Sequence, residues 1–224
     1  MSELHPLLEM HFPTLAGVDD AEGRAILSEA MLLEVPPGQS VFRVGDPCQN
    51  FLMVAAGQVK VIGRGSSGRE ILLYRIDQGG TCVLTTACLM GHDAYPAEGI
   101  TETTVQAFAI PRQRFEQALA GSEGLRRFVF ASYGERLSDL IRLVQQLAFE
   151  RIDLRLARYL IENCRERIEV QITHQQLAIE LGSAREVVSR QLKSFERQGW
   201  ISLGRGTIRV EHLAGLETLL DCQG

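Results

Sequence analysis

The sequence predicts an α+β chain in three parts: an N-terminal β-roll of the jelly-roll kind, one long helix, and short helices closed by a β-hairpin. Three observations carry this. Gly45, Gly57, Gly68 and Gly79 recur every 11 or 12 residues through a β-rich stretch. Apolar residues take up helical steps of three and four from Leu137. Two helix starts then flank Gly182, ahead of a Gly204-Arg205-Gly206 turn. A length of 224 residues allows two domains, each with its own core. The parts are expected at residues 1–120, 121–150 and 151–224.

Between Val35 and Pro111, short apolar and β-branched runs alternate with turn residues, the pattern of a small sandwich or roll. Strands are expected at Ser40–Val44, Phe51–Ala55, Gln58–Arg64, Arg69–Ile76 and Thr103–Ile110. The stretch from Gly63 to Gly68 reads as a hairpin turn, because glycine supplies the positive φ that tight turns require.

After Pro111 the period becomes helical. Leu137, Leu140, Ile141, Val144, Leu147 and Ala148 form one apolar face, and Glu135, Asp139, Arg142 and Gln146 form the opposite one. So narrow a stripe must be covered. It packs either on the chain's own β-domain or, as in coiled coils, on a second copy.

The most specific signal lies between Thr173 and Phe195. Thr173 with Gln176, and Ser183 with Glu186, have the spacing of capping boxes, and Gly182 between them suits a sharp turn. In the second helix Ala184, Val188, Leu192 and Phe195 make a buried stripe, which leaves Arg185, Glu186, Ser189, Arg190 and Lys193 outward. With the Trp200–Val210 hairpin behind it, the arrangement is a winged helix-turn-helix, whose second helix enters the major groove of double-stranded DNA. Arginine can donate twice to guanine, glutamate can accept from cytosine, and serine can reach bases or phosphate. Lys193 and Arg197 suit the backbone, and Thr173 at the start of the first helix is a further candidate for DNA contact. The bland alternative is a solvated helix face.

Composition agrees. The net charge is -5, yet residues 181–210 carry a local charge of +4, a small phosphate-facing surface on an acidic protein. No apolar stretch approaches the roughly 20 residues of a membrane span, and the N-terminus lacks a basic and apolar leader, so no membrane association and a cytoplasmic location are expected. Five scattered cysteines, Cys48, Cys82, Cys88, Cys164 and Cys222, suggest free thiols rather than a disulfide framework or zinc ribbon. Of the five histidines only His92 falls in the β-region, too few for a three-ligand metal centre there. No nucleophile elbow, phosphate loop or paired catalytic acids are present, so no enzyme is expected.

In all three parts, and most of all in Ser183-Ala-Arg-Glu-Val-Val-Ser-Arg190, the chain resembles the Crp/Fnr superfamily, the cAMP receptor protein and Fnr regulators. That resemblance implies a cyclic-nucleotide-binding-like β-roll that senses a signal, a dimerisation helix and a homodimer on a palindromic operator. It implies base contacts from Arg185, Glu186, Ser189 and Arg190 of the helix beginning at Ser183, half-sites with a TGA core, and RNA polymerase as a partner if the protein activates.

The signal is less legible. Where cyclic-nucleotide branches carry a Gly-Glu pair and an arginine for the phosphate, Gly79–Gly99 has neither, which argues against cAMP. The iron-sulfur branch uses N-terminal cysteines, and none precedes Cys48. The segment resembles the haem-bearing stretch of CO-sensing relatives, with Cys82 at the ligand position but Leu84 in place of their histidine and His92 as a conceivable substitute. Three readings stay open: thiol chemistry at Cys82 and Cys88, haem through Cys82, or inert buried cysteines.

Overall fold

The computed structural model describes residues 4–65, 70–164 and 169–221, with backbone alone for 146–149. It divides into two compact units, residues 1–63 with 73–141, and residues 64–72 with 142–224.

The first unit opens with helices α1 (Pro6–His11) and α2 (Ala21–Ser28), a 3-10 turn (Pro13–Gly17) between them. The strands follow as β1 (Met31–Val35), β2 (Ser40–Phe42), β3 (Asn50–Ala56), β4 (Val59–Arg64), β5 (Glu70–Ile76) and β6 (Gly80–Thr81). Helix α3 (Val83–Gly91), strands β7 (Glu98–Thr101) and β8 (Val105–Pro111), α4 (Arg112–Gly121) and the long α5 (Glu123–Phe149) complete that series. Two four-stranded sheets result, ordered β1-β8-β3-β6 and β2-β7-β4-β5. All five expected strand regions form. The turn expected at Gly63–Gly68 and the start of the fourth strand at Arg69 fall partly outside the described residues.

The roll closes on its aromatic residues. Phe51 of β3 stacks on Phe115 of α4 with centroids 4.6 Å apart, and Phe42 of β2 stacks on Tyr95 at 4.2 Å. Each ring so buried contributes about 1.5–3 kcal/mol of transfer free energy. Gly99 on β7 is fixed by that second pair, because a Cβ there would lie 2.5 Å from the Phe42 ring.

The second unit contains α6 (Ile152–Cys164), β9 (Glu169–Gln171), α7 (His174–Glu180), α8 (Arg185–Arg197), β10 (Ile201–Gly204), β11 (Thr207–Val210) and α9 (Leu213–Asp221). Its core draws Leu156 and Leu160 from α6, Leu177 from α7, Val188, Leu192 and Phe195 from α8, and Ile201, Ile208 and Leu216 from behind. The predicted hairpin is β10–β11, with Gly204 opposite Thr207 and Gly206 at φ 76°. A third strand, β9, pairs with β11.

Two local expectations need correction. The second helix of the helix-turn-helix begins at Arg185, not Ser183, and Ala184 is its N-cap residue, without a side-chain cap bond. Ser183 is taken by the preceding helix: its N–H donates to the Ala178 carbonyl at 2.8 Å and that of Gly182 to Ile179 at 3.2 Å, with Gly182 at φ 55°. This is a Schellman closure of α7, which places Ser183 two residues past the C-cap Leu181 and out of reach of a box with Glu186. Ala184 is accordingly half-buried, while Val188, Leu192 and Phe195 are buried as expected.

A candidate nucleic-acid interface and a buried thiol cluster

Helix α7 starts on a complete capping box. The Gln176 N–H donates to Thr173 Oγ1 at 3.2 Å, and the Thr173 N–H donates to Gln176 Oε1 at 2.9 Å. Thr173 is exposed beside Arg185 and the hairpin turn, on a concave surface shared with His174, Gln175 and Thr207. The first turns of α7 and α8 therefore meet the hairpin at one place. Helix N-termini present unpaired N–H groups, the usual partners of a phosphate oxygen.

Along α8 the apolar residues face the core and the polar ones face solvent. Arg185, Glu186, Arg190 and Lys193 are exposed. Glu186, Ser189, Arg190, Lys193, Glu196 and Arg197 line a single shallow groove on that side. Among the described residues no ion pair holds Arg185, Arg190 or Lys193. Three cations without internal partners can turn toward an anionic surface without breaking anything first.

Ser189 differs from the others. It is half-buried, and its Oγ is hydrogen-bonded to His174 Nδ1 at 2.8 Å. That bond joins the two helices at their crossing and orients the hydroxyl. Sequence reasoning missed His174, since a histidine after a cap threonine has no distinctive spacing.

In the first unit the two candidate sensor cysteines are buried, Cys82 at 1% exposure and Cys88 at 4%. Cys82 is the N-cap of α3, accepting from the Thr85 N–H at 3.4 Å, and it lies 3.5 Å from the Tyr74 hydroxyl. Cys88 sits further along α3 and donates to the Ala94 carbonyl at 3.4 Å. The two share no bond. Burial pushes the Cys88 thiol up to about 11, which keeps it protonated at neutral pH.

The residue that does join Cys82 is Cys48. Its thiol is hydrogen-bonded to Tyr95 Oη at 3.2 Å and to the Thr85 carbonyl at 3.5 Å, and Thr85 Oγ1 is 2.9 Å from that same Tyr95 hydroxyl. Thr85 thus connects the two sulfurs through its backbone. Burial raises the Cys48 thiol and both the Tyr74 and Tyr95 hydroxyls, which keeps those three groups protonated. Nothing in the sequence spacing points to Cys48. His92, by contrast, is exposed at the opposite end of α3 from Cys82, in the left-handed region at φ 57°. Cys164 is half-buried in the other unit, and Cys222 lies outside the described residues. No helix among the described residues is long and apolar enough to cross a membrane.

Two family models match the chain. Residues 32–122 match the family described as cyclic nucleotide-binding domain, and residues 154–219 match the Crp-like helix-turn-helix domain. The chain is 26% identical to a cyclic AMP receptor protein of Thermus thermophilus over 92% of its own length and 96% of that protein's. It is 24% identical to a global nitrogen regulator of Synechococcus elongatus, over 77% and 82% of the two chains. A crystal structure of a transcriptional regulator of the crp/fnr family from Eubacterium rectale superimposes with a TM-score of 0.84 at 28% identity, over 95% of this chain and 99% of that one. A nucleotide-binding type of roll, a Crp-like reading head in its expected place and regulator relatives along nearly the whole length make the chain a transcription regulator of the Crp/Fnr superfamily.

Proposed function

We propose that the chain acts as a homodimer that reads a palindromic operator with α8 and releases or grips it according to a signal received in the β-roll. The observation that carries this is the outward face of α8, where Arg185, Arg190 and Lys193 are exposed and unpaired over a buried apolar stripe. Arg185, Glu186, Ser189 and Arg190 are the base-reading set. Lys193, with Thr173 at the cap of α7, holds the phosphates. RNA polymerase is the further partner if the bound dimer activates.

The parts of the proposal divide the work by geometry. Two reading helices must lie about 34 Å apart to enter successive major grooves of one face. Helix α5 supplies the seam between copies, and a change in the roll that alters that seam changes the spacing. The thiol of Cys82 is the group best placed to start such a change, since it caps α3 and touches Tyr74. The sequence argues against cAMP as that signal, because the segment from Gly79 to Gly99 offers no arginine to its phosphate.

Selection of sites from random DNA, followed by fluorescence anisotropy on the recovered duplex, tests the reading head. An inverted repeat with TGA-containing half-sites is expected. Arg185→Ala and Arg190→Ala should each cost about 1–3 kcal/mol and relax the preference at one base pair, whereas Lys193→Ala should weaken all sequences alike and flatten the salt dependence. An asymmetric motif, or a double arginine variant that binds as tightly as the parent, removes the proposal.

A further inference from the structure

Between the two sheets of the roll lies a cavity of about 340 Å³, separate from the reading head and from the α3 cap network except where Cys82 and Tyr95 form part of its wall. Its sides are Phe42, Val54, Val59, Ile76 and Val105, all buried and all without a polar side-chain atom. Among the described residues no lysine, arginine or histidine lines it. The one charged residue among the described residues that line it is Asp46, exposed at the rim, where it accepts from the Arg43 N–H at 2.9 Å. Gln49 and Asn50 stand at the same rim, and their side-chain amides have no partner among the described residues.

We infer that this cavity binds a small, uncharged, largely apolar molecule carrying one neutral hydrogen-bonding group, a hydroxyl or carbonyl, which meets the rim amides. Size, polarity and charge each point there. A dry apolar cavity of about 150 Å³ takes one benzene ring, so this one holds a two-ring compound or a chain of similar bulk. An anion entering it would leave its water shell for aliphatic walls with no counter-charge, past a carboxylate at the mouth. A neutral molecule loses little on entry, and its polar end satisfies amides that otherwise rely on water. The inference goes beyond the operator-reading proposal and does not depend on it, because binding is measured on the free protein.

The probes are 2-naphthol and 2-naphthoate, which share shape and differ in charge at neutral pH. Isothermal titration of the full chain should give 2-naphthol a Kd on the order of 100 µM, the range set by its few heavy atoms. The carboxylate and cAMP should bind about tenfold more weakly or not at all. Ala107→Phe, which fills the cavity from β8, should abolish 2-naphthol binding. Leu33 lies on the wall but is 43% exposed, so Leu33→Arg is tolerated by the fold and should shift the preference toward 2-naphthoate. Failure of 2-naphthol to bind, equal binding of the two probes by the parent, or unchanged preference in Leu33→Arg overturns the inference. The last criterion holds even if Ala107→Phe does not fold. Operator affinity plays no part in these readouts, so a failed DNA reading and an empty cavity cannot be confused.

Discussion

At the scale of the residue, Asp20 shows how one carboxylate can fix two helices. Its Oδ1 accepts from the Gly23 N–H at 2.7 Å and so caps α2, while Oδ2 accepts from Ser122 Oγ at 2.7 Å and from the Gly124 N–H at 3.4 Å. Ser122 in turn accepts from the Leu125 N–H at 3.0 Å, completing the start of α5. These bonds, the one from Ser122 foremost, hold the Asp20 carboxyl below its ordinary range. A carboxyl with a lowered folded pKa stabilises at pH values above its unfolded pKa, near 4, and loses that contribution as acid takes it through the lower folded value. Asp20→Ala should therefore cost about 1–2 kcal/mol at neutral pH, a fall in Tm of roughly 2–6 °C by calorimetry. The gap between parent and variant should narrow below about pH 4. A constant gap down to pH 2 would mean that the carboxylate's charge plays no part. Neither end of this contact could be read in advance, because the partners are about a hundred residues apart in sequence.

At the scale of the element, legibility followed how local the determining bonds are. The capping box at Thr173 involves residues three apart, and it is present as its spacing implied. Ser183 and Glu186 have the same spacing, yet the Schellman closure of α7 uses Ser183 first, and no pairwise pattern registers that competition. Helix α3 went unread for a different reason. Val83, Thr85 and Thr86 are β-branched and favour strands, and the helix is held by burial and by the Cys82 cap rather than by propensity. The short strands β6 and β7 are only two and four residues long, below the length at which alternation shows.

On the proposed function, a thiol signal at Cys82 would act through α3, whose first turn that residue caps. Converting the Cys82 sulfur to a mixed disulfide or sulfenic acid replaces a small acceptor in a site that is 1% exposed, and the first turn of α3 must move. Cys88, with its thiol pushed up to about 11 by burial, is a poor nucleophile at neutral pH. Cys82→Ser retains a hydroxyl cap and should keep operator affinity while losing its response to diamide or a persulfide donor. Cys88→Ser should respond like the parent. Anisotropy before and after oxidant distinguishes the two, and a Cys82→Ser protein that still responds would move the signal elsewhere.

At the scale of the whole molecule, the question is what covers α5. Phe130, Leu137, Ile141 and Val144 are 54%, 44%, 52% and 63% exposed, all on this one helix. Their spacing places Phe130, Leu137 and Val144 at every seventh position with Ile141 four residues after Leu137, the d and a sites of a heptad seam. Gly134 falls at the preceding a site, where a Cβ would meet nothing within 4 Å, so a second helix can approach closely there. The Leu147 and Ala148 side chains of the predicted stripe lie outside the described residues. Such a seam is self-complementary, which suits a twofold pair of identical helices better than a foreign partner. Ile141→Glu buries a carboxylate at that seam. It should weaken dimerisation by about 2–4 kcal/mol, roughly thirtyfold to a thousandfold in Kd, by sedimentation equilibrium. The β-roll core contains no Ile141 side chain, so the thermal transition of the isolated chain should change little. Operator binding should fall together with the dimer and return at high protein concentration, because two reading heads share one palindrome. Should the variant remain dimeric, or bind its operator as a monomer with parental affinity, α5 is not the seam and the coupling of roll to reading head must run along another surface.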